Sequence, residues 1–126
     1  MPFLAVLRHE EGVRLDPDPL VALYSELGES GAERVLCRAM EDLRSRLSEI
    51  LRHADEGRGT PVARTARQLG AVAAQIGLPT LARVAGDVVY STEAGDPTAQ
   101  AATLARLVRI GERSLSAVWD LRDMTS

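Results

Sequence analysis

Proline and glycine divide this chain into segments too long and too helical in pattern to form anything but α-helices. Asp18-Pro19 offers a helix N-cap followed by proline at the first helical position, where the missing N–H costs nothing. Gly28 ends the short segment that follows, and Ser30-Gly31-Ala32-Glu33 fits a capping box that opens a long one. Asp55-Glu56-Gly57-Arg58-Gly59 breaks the long segment, and Thr60-Pro61 starts the next with the same cap logic. Gly77 is a C′ glycine, Pro79 begins another helix, and Gly95-Asp96-Pro97 makes the last turn of this kind.

Between these marks the apolar residues recur at three- and four-residue steps, the sign of one buried stripe per helix. The expected inner faces are Leu20, Leu23, Tyr24 and Leu27, then Leu36, Met40, Leu43, Leu47, Ile50 and Ala54. The next helix contributes Val62, Ala66, Leu69, Val72, Ala73 and Ile76, and the one after it Leu81, Val84, Ala85, Val88 and Val89. Ala101, Leu104, Val108, Leu115 and either Val118 or Trp119 complete the set on a helix from Pro97 to about Arg122. Trp119 either closes the bundle or covers a dimer seam. Aromatics make up only 3% of the chain, so the core is aliphatic, which favours helix over sheet. The expected fold is all-α: an antiparallel four-helix bundle over residues 18–126, preceded by a short N-terminal helix, with residues 1–17 as an N-terminal arm.

Composition removes several classes of function. A net charge of −3 lacks the basic footprint of a nucleic-acid binder. A single cysteine, Cys37, rules out an internal disulfide and a cysteine-built zinc site, and its helical apolar setting predicts a buried, inert thiol. The apolar start of the chain is too short for a signal peptide, and no stretch nears the roughly 20 apolar residues of a membrane span, so the expected location is the cytoplasm. No nucleophile elbow, phosphate-binding loop, dinucleotide motif or zinc motif occurs, so no catalytic residue, metal ligand or cofactor is assigned. His9 lies outside the bundle, and His53, beside Glu56 and Gly57 at a helix end, reads as a solvated surface histidine.

The helix from Pro61 to Gly77 carries the candidate site. At about 100° per residue its core positions lie opposite Arg67, and the face around Arg67 holds Ala63, Arg64, Gly70, Ala71 and Ala74. A solvent-facing stripe normally carries long polar side chains. Here it is mostly alanine and glycine, with a mid-helix Gly70 that costs about 1 kcal/mol relative to alanine. Either a neighbouring helix of the same chain covers these small residues, or the face is open for another protein to come close. Arg64 and Arg67, one turn apart, are either a solvated basic edge or cations offered to an acidic partner.

The order of elements and the run from Ala63 to Ala82 resemble histidine-containing phosphotransfer (HPt) domains, helical bundles that pass phosphoryl groups to and from aspartates of response-regulator receiver domains. Ala66, Leu69, Ala73, Ile76, Gly77 and Leu81 fit that family's pattern, alanine-histidine-x-leucine-lysine-glycine-x-alanine followed by an apolar residue, a glycine and a leucine-bearing helix. The resemblance extends over about residues 18–122, with its specific part in the Ala63–Ala82 run. The family's phosphoacceptor histidine falls on Arg67, its lysine on Gly70 and its glycine on Ala71. A guanidinium stays protonated and has no nitrogen lone pair to accept a phosphoryl group. The resemblance therefore implies a pseudo-phosphotransfer adaptor, comparable to the plant proteins that lack the histidine, which docks a receiver domain or histidine-kinase module through Arg64, Arg67, Gly70, Ala71 and Ala74. Two other readings stand beside it: a homodimeric structural module, and phosphotransfer relocated to His53.

Overall fold

A computed structural model describes residues 13–125, with side chains as far as Leu121. His9 and the first twelve residues of the arm lie outside it. Four α-helices make up the described chain: α1 (Pro17–Asp55), α2 (Gly59–Gln75), α3 (Pro79–Glu93) and α4 (Pro97–Thr125). Each helix packs on the next in sequence, α1 touches α4 only lightly, and the diagonal pairs do not meet, as a four-helix bundle requires. The expected short N-terminal helix is the first part of α1. Gly28 (φ 71°, ψ 177°) is the one residue of α1 off helical geometry, so the break falls where the sequence places it.

The start signals are shifted from expectation. The N-cap of α1 is Asp16, whose carboxylate accepts from the Asp18 N–H at 3.1 Å, with Pro17 next. Asp16-Pro17-Asp18-Pro19 repeats one cap-proline pair, and the earlier copy takes the role because the Asp16 N–H is fixed by the Gly77 carbonyl, as described below. Ser30, expected as a cap, already sits inside the helix. Thr60 does not cap α2, which starts at Gly59 after an uncapped Arg58; proline is harmless anywhere in a first turn, so Pro61 marks the region rather than the residue. Asp96 does cap α4, accepting from the Ala99 N–H at 3.1 Å.

All three connections between helices share one geometry. The N–H of Gly57, Gly77 and Gly95 bonds back to the carbonyl of Ala54, Ala74 and Thr92, while the next N–H (Arg58, Leu78, Asp96) reaches one residue further back, to His53, Ala73 and Ser91. This double closure satisfies helix-end carbonyls and needs a residue at positive φ. The turn at Gly77 does more. Its carbonyl accepts the Asp16 N–H at 2.7 Å, and Arg14 N–H donates to Thr80 Oγ1 at 3.2 Å. Residues 13–16 thus form a strap over the α2–α3 turn that puts Val13 and Leu15 into the core.

The core joins Leu36, Met40 and Ile50 of α1 to Val62, Leu69 and Ile76 of α2, Leu81, Val84 and Val88 of α3, and Leu107 and Val118 of α4. Two expected faces are corrected. On the first part of α1 only Leu20 is buried; Leu23 and Tyr24 are half-buried and Leu27 is exposed. On α4 the buried residues are Leu107, Ile110, Gly111, Ser114, Ala117 and Val118, with Leu115 near the limit, whereas Ala101 is exposed and Leu104 and Val108 are half-buried. The reason is lopsided contact: α3 packs extensively on α4 while α1 meets it lightly, which turns the buried sector toward α3. Trp119 packs against the core, in keeping with a residue that closes the bundle. Cys37, expected to be buried, is half-buried because α1 is open along that side.

A methyl group on Gly77 (φ +83°) would lie 2.2 Å from the Asp16 carbonyl oxygen, whereas one on Gly95 (φ +68°) would meet nothing within 4 Å. Gly95→Ala should therefore cost only the left-handed backbone term, about 1–2 kcal/mol. Gly77→Ala should cost at least about 1 kcal/mol more, because the strap must lift. Urea unfolding of both variants checks this, and equal costs would show that the strap contributes nothing.

Candidate docking face on α2

The face expected around Arg67 is divided by the packing of α3. Ala63, expected to point outward, is 5% exposed and belongs to the covered part. Gly70 is half-buried, and a methyl group there would sit 3.5 Å from Ala85 Cβ and 3.6 Å from the Ala82 carbonyl oxygen. For these two residues the small side chain serves helix–helix approach within the chain. Arg64, Arg67, Ala71 and Ala74 remain exposed, so the open face is narrower than the helical wheel indicates. Periodicity cannot say which flank of a helix its neighbour will cover, and that is the information the wheel lacks.

Both flanks of α2 carry polar clasps. Gln68 accepts from the guanidinium of Arg46 on α1, which also bonds Asp42 of its own helix at 3.0 Å. On the other flank Arg67 donates to the carboxylate of Glu93, the last residue of α3. The Arg67 and Glu93 side chains are 56% and 54% exposed, so water screens the pair and its stabilisation is about 0–1 kcal/mol. Its effect is geometric: the guanidinium is held over the α2–α3 seam rather than swept through solvent. Arg64 makes no ion pair among the described residues.

Sequence reasoning missed the α3 half of this surface. Gly86 faces open space, and Tyr90 is 78% exposed, the most exposed of the large hydrophobic side chains described. On a helical wheel Gly86, Tyr90 and Glu93 lie within one outward sector. Glu93 reaches α2 through Arg67, whereas Tyr90 lies on the flank of Asp87, whose partner Arg106 belongs to α4. The antiparallel pairing of α2 with α3 was the available signal, since it sets the end of α3 beside the beginning of α2. The candidate face is thus Arg64, Arg67, Ala71 and Ala74 on one helix, with Glu93 of the next at its edge.

No group of three His, Cys, Asp or Glu side chains able to hold a metal occurs among the described residues. His53, expected to be solvated, is half-buried, and its Nδ1 is shielded from water with no hydrogen-bond partner. It sits in the last turn of α1, at the far end of α2 from Ala74. No described helix is long and apolar enough to cross a membrane. Comparison with family models, curated proteins and solved structures gave no match to this chain.

The contacts of Gly70 are ordinary van der Waals distances, so a methyl group fits. Gly70→Ala should raise stability by about 0.5–1 kcal/mol by favouring the helix. Thermal unfolding tests this; a destabilised variant would mean that α2 and α3 are closer than ordinary contact at this point.

Proposed function

We propose that this chain is a non-catalytic, HPt-like signalling adaptor that docks a receiver domain or histidine-kinase module through the face around Arg67. The observation that carries the reading is Arg67 itself. It stands where the resemblance puts the phosphoacceptor, it is exposed, and the exposed Ala71 and Ala74 beside it leave room for another helix or loop to approach. A receiver domain presents acidic side chains around its phosphorylated aspartate, and a guanidinium suits that pocket without any phosphoryl transfer. The absence of a neutral imidazole at this position accounts for binding without chemistry. Such an adaptor works in the cytoplasm, where it competes with or tethers active phosphorelay proteins.

Glu93 sharpens the proposal. Its carboxylate occupies Arg67 in the free chain, so an acidic partner must share or displace it. Removing that competitor should strengthen docking, while reversing Arg67 should abolish it.

Titration calorimetry against a receiver domain tests both statements. Arg67→Glu should lose binding with the solution mass unchanged, and Glu93→Gln should bind several-fold more tightly. A change in oligomeric state with Arg67→Glu would favour the homodimeric module instead. Incubation with phosphorylated receiver and labelled phosphate should leave the chain unlabelled; label that vanishes in His53→Ala would overturn the adaptor reading.

A further inference from the structure

A second surface lies on the α1 side of α2 and does not include Arg67. Here Leu27, Val35, Ala39 and Val72 line an open groove of about 660 Å³ that runs along α1 beside the end of α2. Leu27 and Val35 are 48% and 42% exposed. Leu27 is placed by the break at Gly28: a methyl group on Gly31 would come within 2.9 Å of its Cβ, so the leucine lies directly over the next turn of the helix. Along the rim stand Arg34 and Arg38, exposed and one turn apart. Neither makes an ion pair among the described residues, and like charges at this spacing repel. The carboxylate at the far end of the groove, Asp42, is engaged by Arg46. Glu33 and Glu41 stand on the side of these arginines away from the groove, so the edge that faces the exposed leucine and valine is positive.

We propose that this groove seats an amphipathic helix of a partner protein, with carboxylates along the flank that meets Arg34 and Arg38. Exposed apolar surface and unpaired like charges are both unfavourable in the free chain, and one occupant of this chemistry relieves both. A helix fits better than an extended segment, because its own hydrogen bonds leave no backbone group unpaired against the apolar floor. From Gly31, under Leu27, to Asp42 the helix rises about 16 Å, a length that a helix of three to four turns covers. Arg46 engages Asp42 at the far end of the groove, so the carboxylates of the occupant belong over the Arg34–Arg38 part. The proposal is independent of the Arg67 face.

Two synthetic four-turn peptides test it on the full chain by fluorescence anisotropy. Both carry leucines at helical spacing; glutamates flank the leucines in one and lysines in the other. The glutamate peptide should bind at least about tenfold more tightly, with an affinity that falls as salt is added. The double variant Arg34→Glu, Arg38→Glu should reverse the order. Val35→Ser should weaken both peptides, and Arg67→Glu should change neither, so failure here is distinguishable from failure of the receiver-docking reading. Equal affinities, no binding of either peptide, or an unchanged preference in the double variant would overturn the proposal. So would affinity that rises when residues 1–12 are removed, or peptide binding that competes with formation of a dimer, since the groove would then belong to the chain itself.

Discussion

The hydrogen bond from Asp16 N–H to the carbonyl of Gly77 ties together more of this molecule than any other single contact. Gly77 closes α2, turns the chain into α3 and presents its carbonyl outward at the same time. That geometry depends on a positive φ, and the approach of Asp16 leaves no space for a side chain. Once Asp16 is fixed, its carboxylate caps α1, and Val13 and Leu15 are carried into the core. The direction in which α1 leaves the turn follows from this arrangement.

Fold class was legible because glycine, proline and apolar spacing agreed at every level, which is what a sequence with one dominant structure provides. Gly28, Gly57, Gly77 and Gly95 all lie at breaks the sequence marks, and all take positive φ. Start positions were less legible. Asp16-Pro17 and Asp18-Pro19 are chemically equivalent, and only a bond to a residue some sixty positions away distinguishes them. The inner face of α4 was misread for a related reason. Leu104, Val108 and Leu107 are all good core residues, and only the position of α3 decides which of them is covered.

The candidate site was half legible. Arg64, Arg67, Ala71 and Ala74 are exposed as the wheel indicates, but Ala63 and Gly70 are covered, and Glu93, the α3 residue at the edge of the face, was not anticipated. Small residues carry two meanings that sequence alone does not separate: close packing within a chain and an open approach for another. Glu93 changes the character of Arg67 from a free cation to a held one. A held guanidinium loses less rotational freedom on binding, yet it arrives with a carboxylate already in its hydrogen-bonding fork. Affinity at such a site depends on the difference between two acids, one inside the chain and one outside.

The way the helices touch also has a kinetic side. Nearly all packing joins neighbours in sequence, α1 with α2, α2 with α3 and α3 with α4, across turns of a few residues. Contacts that close short loops incur little chain entropy before they form, so a bundle of this kind falls among fast-folding topologies. The exceptions are the light contact of α1 with α4 and the strap, where Arg14 reaches Thr80 across 66 positions. Helix hairpins can assemble without the strap, and the N-terminal segment then has a finished turn to dock on.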